Sequence, residues 1–332
     1  MKRRNIWILT AVLAAAVCFI FMIHGVRTEA SEGPKLNGGT SAEIGDSFVL
    51  RLGFSSGTAS ASDLTLVVNR REGEETITPT GDTFLIPVDP DEMTLDLQPR
   101  LMNGTEEADR RTTPYSGALY AKALAESGLV DDSVKTMLAD LLEYCAAAQA
   151  YYDYRTDDPA NGASYQWTGY QPSGFTAPTP SAVSVENTGD GIRIRSANLW
   201  LEHDTIAVQF KGIATAGAAF TLNGSPAIPI LYGTDFTMRS EALKMGELID
   251  ASYTLTVSDG VNSSTVTYSV ANYIANKTSA EYEASGNQNM LNLAKRLWAY
   301  GGSAKVVYDA QVNGLELDVD GEDPNEKFGP LL

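Results

Sequence analysis

Four groups of residues in this chain have types and spacing that chemistry could use. Glu202, His203 and Asp204 set the sole histidine beyond residue 30 between two carboxylates, and an imidazole so placed can act as a general base. No serine or cysteine stands at a recognisable spacing to be activated by it, so the tripeptide reads as a solvated loop leading into a strand at Thr205. Cys145 lies among Ala and Leu at helical spacing and reads as a small buried apolar residue rather than a reactive thiol. Glu316, Asp318, Asp320 and Gly321 echo the opening of a calcium loop. The carboxylate such a loop needs further on is replaced by Lys327, with Pro324 in between, and the segment reads as an acidic tail.

Tyr165, Trp167, Tyr170 and Phe175 form the fourth group, four aromatics on a Pro- and Gly-rich stretch. Flat rings held on an extended segment could stack on sugars, which makes these four the candidate ligand-binding residues of a carbohydrate-binding protein. Packed instead into the seam between two modules they would be structural, and that reading is preferred: aromatics on a flexible linker bind weakly after the loss of chain entropy. Carboxylates are numerous enough for the acid/base pair of a glycoside hydrolase, but no two are singled out. No catalytic residue, metal ligand or cofactor is assigned. With one histidine and one cysteine beyond residue 30, zinc sites built from His and Cys are excluded by count.

The balance of charge narrows the partners. With 42 Asp and Glu against 24 Lys and Arg the net charge is −18, a surface that repels phosphate backbones and speaks against nucleic-acid binding. Four of the bases, Lys2, Arg3, Arg4 and Arg27, fall in the first 30 residues, ahead of and behind an apolar run from Ile6 to Val26. Positive charge followed by an apolar run is the pattern of export. Thr28, Glu29 and Ala30 offer a small residue for cleavage, while the run is also long enough to stay as a membrane anchor. In either case the remainder is expected outside the cytoplasm, secreted or tethered to the cell surface by one N-terminal segment.

The elements that would carry these residues come in two similar sets. A shift of 156 places Asn103-Gly104 on Asp259-Gly260, and Leu141, Tyr144, Ala148, Tyr152 and Asp153 on Leu297, Tyr300, Ala304, Tyr308 and Asp309. Between these blocks, Tyr115, Ser116, Ala118 and Tyr120 match Tyr268, Ser269, Ala271 and Tyr273 at a shift of 153. Phe48, Leu50, Leu52 and Phe54 alternate as in a strand with one buried face, and Asp63–Val68, Thr83–Val88 and Met93–Met102 continue the pattern. Ile192–Arg195, Thr205–Phe210, the Phe220–Leu222 stretch before Asn223-Gly224, and Tyr253–Val257 with Thr265–Tyr268 around Asp259-Gly260 form the second set. Each set closes with a short helix, Gly117–Ala125 or Val270–Asn276. A long one follows, capped by Asp131 or Asp132 in the first and by Asn287 in the second.

The run from Tyr144 to Asp158, with Ala160 and Asn161 after it, resembles a helix-end motif recurring in large extracellular proteins of Firmicutes. Tyr253–Gly260, followed by Thr267–Val270 and Tyr273, is similar to the strand and helix start of the same repeats. The resemblance covers about residues 45–312 and implies a cell-surface setting with no catalytic residues. The expected organisation is an N-terminal signal peptide or anchor over 1–30 and a first β-plus-helix module over 45–155. A Pro, Gly and aromatic linker over 156–182, a second module over 183–312 and an acidic tail over 313–332 complete it. The fold class is α+β, two tandem β-sandwich-like units each followed by a short and a long helix. The expected function is a non-enzymatic exported scaffold, adhesion or ligand-display protein with a cell-envelope protein or polysaccharide as partner. A carbohydrate-binding protein is the alternative and an extracellular hydrolase the remote one.

Overall fold

The computed structural model describes residues 33–44, 48–181, 183, 185–202 and 205–312; the N-terminal segment, His203, Asp204 and the acidic tail lie outside the described residues. The chain divides into two compact units, one of residues up to Ser173 together with those from Val306 onward, the other of Gly174–Lys305. Each mixes antiparallel sheets with helices, an α+β architecture. Among the described residues no helix is long and apolar enough to cross a membrane.

In the first unit, β1 (Lys35–Ile44), β2 (Phe48–Ser55) and β5 (Thr83–Val88) form one sheet in the order β1-β2-β5. The second sheet takes β3 (Leu64–Arg70), β4 (Gly73–Ile77), β6 (Arg100–Asn103) and β7 (Glu106–Arg110) in the order β4-β3-β6-β7. The alternation along β2 is realised: Phe48, Leu50, Leu52 and Phe54 are buried while Val49, Arg51 and Gly53 between them are half-buried. Leu64, Leu66 and Val68 do the same on β3 and Phe84, Ile86 and Val88 on β5. Period-2 patterning puts each of these sets on one sheet face, and that face lines the core.

The second unit holds β8 (Val185–Asn187), β9 (Arg193–Glu202), β10 (Thr205–Ile213), β11 (Ala219–Leu222), β12 (Ser225–Pro226), β13 (Ile230–Tyr232), β14 (Asp235–Arg239), β15 (Ser252–Ser258) and β16 (Ser263–Ser269). Its sheets run β13-β14-β10-β9 and β12-β11-β15-β16-β8. Phe220 on β11 meets Phe236 on β14 edge to face at 5.0 Å, so the two sheets touch through their aromatic side chains. The β15–β16 hairpin turns at Asp259-Gly260, where Gly260 takes φ 88°, a conformation that a side chain disfavours. The backbone N–H groups of Asn262 and Val261 donate to Asp259 and pull its carboxyl down to about 2.

The helices begin where their caps stand. Ser116 accepts from Leu119 N at the start of α1 (Gly117–Glu126), and Asp131 accepts from Val134 N at 2.9 Å at the start of α2 (Asp132–Tyr152). Ser269 and Asn272 cap α3 (Val270–Lys277) reciprocally. A one-turn α4 (Ala280–Ala284) follows, and Asn287 accepts from Met290 N at 3.1 Å at the start of α5 (Gln288–Val312). On α2 the residues Val134, Met137, Leu138, Leu141, Leu142, Tyr144, Cys145 and Ala148 are buried; on α5 Leu291, Ala294, Leu297, Tyr300 and Ala304 are. Gly301 stands within α5 for a reason of space. A Cβ there would lie 2.7 Å from Cδ2 of the fully buried Leu248 and 3.2 Å from Ile249 Cγ2, so the helix can approach the turn Met245–Asp250 only without a side chain.

Two expectations change. Met93–Met102 is not one strand: only Arg100–Asn103 pairs in a sheet, after a 3-10 turn Pro90–Glu92 and an irregular stretch in which Gln98 takes φ 42°. The alternation of Met93, Leu95 and Leu97 is there, yet its backbone bonds go elsewhere. Met93 O accepts from Ala118 N at the start of α1, and Leu97 N donates to Tyr115 O. Residues 156–173 are likewise no extended linker. They belong to the first unit, and the boundary falls between Ser173 and Gly174.

The buried helix faces set the first prediction. Leu141→Ala or Leu297→Ala removes a side chain that is almost completely enclosed and should destabilise its unit by about 2–5 kcal/mol. Equilibrium denaturation of the two variants measures it; a loss below about 0.5 kcal/mol at both positions would show that these helix faces do not carry the core.

Candidate functional site

Three of the four aromatics of the candidate binding group, Tyr165, Trp167 and Tyr170, lie on a strap that doubles back along α2. Asp153 and Arg155 both take left-handed backbone, at φ 53° and 49°, which ends α2 and turns the chain around. From there the strap is tied at successive points of the helix. Ala160 N donates to the side chain of Gln149, Asn161 Nδ2 to Glu143 at 3.1 Å, Tyr170 OH to Ala139 O at 3.2 Å, and Ser173 through N and Oγ to Asp140 at 2.8 and 2.6 Å. Lys122 of α1 donates to Ser164 O at 3.0 Å.

The strap covers its own rings. Trp167 keeps only 6% of its surface and meets Tyr170 edge to face at 4.8 Å. Tyr165 is buried and its hydroxyl donates to the carboxylate of Asp158 at 3.0 Å. Tyr170 is half-buried. Phe175 is half-buried in the second unit, with the Lys295 ammonium 5.9 Å from its ring centre. Of the three in the first unit, Trp167 and Tyr170 are brought into ring contact and Tyr165 is held by Asp158. Trp167 and Tyr165 are closed off against the first unit, and neither offers the open ring face that stacking on a sugar requires.

The same helix end carries a cluster of charges that the sequence alone did not single out. The Pro90–Glu92 turn buries two carboxylates, Asp91 at 0% and Glu92 at 3% exposure. Arg71 pairs with Asp91 at 2.7 Å while its own backbone N–H donates to Glu92 at 2.5 Å; Arg70 reaches Glu92 at 3.2 Å and Glu75 at 2.6 Å. The Arg71 guanidinium also lies over the ring of Tyr154, 4.7 Å from its centre. Next to this, Thr94, Gln149, Arg155 and Asp158 close a second ring of bonds. Gln149 and Arg155 each donate to Thr94 Oγ1 at 2.9 Å, Thr94 donates to Asp158 O at 2.9 Å, and Arg155 pairs with the Asp158 carboxylate. Two signals could have found it: an Arg70-Arg71 pair at a strand end, and Asp91-Glu92 beside a proline that starts a turn.

The electrostatics follow from burial. Desolvation first, and the neighbouring Asp91 second, push the Cys145 thiol up, away from the thiolate a nucleophile needs. Burial and then the Asp158 carboxylate push the Tyr165 phenol up to about 12. The charged and amide groups around the helix end are bonded to one another, while the buried indole N–H of Trp167 has no hydrogen-bond partner among the described residues; the arrangement fixes a helix terminus, a turn and a strap in one place. Glu202 is exposed at the end of β9, paired in register with Thr205, and its neighbours His203 and Asp204 lie outside the described residues. Among the described residues no group of three or more His, Cys, Asp or Glu is placed to hold a metal ion. Comparison of the chain with protein-family models, with curated proteins and with solved structures returns no match.

Two predictions come from this cluster. Arg71→Met leaves the Asp91 carboxylate without its ion-pair partner and should cost about 3–5 kcal/mol, read by denaturant unfolding; a loss under about 1 kcal/mol would show that the pair carries little of the stability of the unit. The second concerns alkali. The folded Tyr165 phenol is raised above the ordinary value of about 10, so its stabilising contribution is complete below about pH 10 and is lost as pH rises towards about 12. Difference titration of tyrosine absorbance between the protein and Tyr165→Phe should place this group near the top of that window, and Asp158→Asn should bring it down.

Proposed function

We propose that the chain is a non-enzymatic, exported cell-surface scaffold made of two related β-sandwich-like modules, an internal duplication in which each module ends in a short and a long helix. The duplication rests on order. Set aside the edge strands β8 and β13, and the sheets of the second unit run β14-β10-β9 and β12-β11-β15-β16, against β5-β2-β1 and β4-β3-β6-β7 in the first. In both, a 3-10 turn stands between the last strand of one sheet and the third of the other, and a capped short helix precedes a capped long one. The sequence shift of 156 falls in step with this order: Leu141 and Leu297 are both buried on their long helices, as are Tyr144 and Tyr300.

The observation that carries the scaffold reading is the use made of the polar and aromatic groups at the α2 helix end. Asp91 and Glu92 are committed to Arg71 and Arg70, Tyr165 to Asp158, and Trp167 packs on Tyr170, which is bonded to α2; this is a design that stiffens a module instead of presenting a reactive surface. Export is supported by the Lys2-Arg3-Arg4 start ahead of the apolar run and by the scarcity of cysteine. A cell-envelope protein or polysaccharide is the fitting partner class for an acidic chain so placed.

Protease added to intact cells should digest an epitope-tagged chain; complete protection, in cells whose surface a control shows to be accessible, would count against export. The scaffold reading is tested through Trp167→Ala. That change should lower stability by about 3–5 kcal/mol and leave any binding on a glycan array as it was. Unchanged stability together with a lost glycan signal would overturn the scaffold in favour of a sugar binder.

A further inference from the structure

The second unit exposes an apolar strand at the edge of a sheet. β13 is the last strand of its sheet, bonded to β14 on one side with Ile230, Leu231 and Tyr232 opposite Thr237, Phe236 and Asp235. Its side chains are uncovered: Ile230 is 50%, Leu231 58% and Tyr232 71% exposed, and Ile228 just before the strand is 93% exposed. From Asn223 to Thr234 there is no charged residue. An open strand edge is a template for another strand, and folded proteins commonly guard such edges with charge. The first unit does so on its own edge strand β4, where Glu74 pairs with Arg100 and Glu75 with Arg70, both at 2.6 Å. The β13 edge carries no such guard.

We propose that two copies of this chain pair through β13, strand against antiparallel strand, about a two-fold axis passing near Leu231. An isologous contact needs a surface complementary to itself, and an antiparallel pair centred on Leu231 sets Leu231 beside its own copy and Ile230 beside Tyr232 of the other copy. Charge selects the same partner. A chain of net charge −18 repels its own copy wherever acids face each other, and this uncharged strand is a place where two copies can approach without that cost. A cationic partner would instead be drawn to the acidic surface elsewhere. The four exposed side chains offer roughly 500 Å² of apolar surface per copy, the size at which a patch on a monomer is commonly a contact site. Doubled across the axis this reaches about 1,000 Å², the lower bound of a specific interface, so the pair is a weak and reversible one.

Light scattering of the full chain in a mild non-ionic detergent tests the proposal. The mass should be that of two copies at tens of micromolar and fall to one copy on dilution. Leu231→Asp, which sets two carboxylates face to face, should weaken the pairing at least tenfold with an unchanged melting curve. Ile228→Asp, at a nearly fully exposed position, serves as a second variant should the first not fold. In a Cys18→Ser background, mild oxidation should link copies carrying Leu231→Cys and leave copies carrying Val261→Cys, more exposed but on another hairpin, unlinked. One copy at every concentration would overturn the proposal, as would a pair that persists in both acidic variants through the N-terminal segment or another surface. So would equal cross-linking at the two positions.

Discussion

A carboxylate taken out of water must be met by a cation or by several N–H donors, and Asp91 and Glu92 have both been taken out of water. Meeting that demand fixes much of the first unit. Arg70 and Arg71 sit at the end of β3, so the β3–β4 turn is held against the Pro90–Glu92 turn. The face of Arg71 needs an aromatic neighbour, and Tyr154 supplies it from just beyond α2. The chain can present Tyr154 there only because Asp153 and Arg155 adopt left-handed backbone, and that reversal is what sends the strap back along the helix.

Under the proposed duplication, the second unit meets the corresponding place differently. The shift of 156 that brings Tyr144 onto Tyr300 brings Cys145 onto Gly301. In the first unit a small side chain at this point on α2 feels the Asp91 carboxylate. In the second the helix has no side chain there, and Leu248 fills the space. In one unit ion pairs hold the turn beside the helix, and in the other the helix meets the turn through direct apolar contact. Ion pairs are demanding in direction and apolar contact is not, which fits a first unit that carries a long strap in a fixed path.

Much of the architecture was legible in the residues because it is decided locally. A cap acts within three residues, so Asp131 and Asn287 announce the starts of the long helices in any context. Alternation announces strands only when the backbone has a neighbouring strand to bond. Residues 93–97 alternate as well as β2 does, and the start of α1 and the loop before it take their backbone bonds instead. The aromatics of the strap posed the same problem in reverse. Four Pro and three Gly over Thr156–Ser181 describe a chain without regular structure, and say nothing of what lies beneath it.

By itself the sequence determined the class of the fold, two sets of strands each ending in a short and a long helix, the helix caps, the acidic surface and the turn at Asp259-Gly260. All of these follow from residue type and from spacing within a few positions, where the forces are those of a single turn of chain. Only the tertiary structure decided that Arg71 finds Asp91, that Gln149 in the last turn of α2 gathers a returning loop, that Trp167 is covered, and that Ile230–Tyr232 is left open at an edge. Those outcomes depend on which surfaces meet across tens of residues. Desolvation makes each meeting favourable or costly according to what stands opposite, and the identity of the opposite group is written nowhere near the residue it answers.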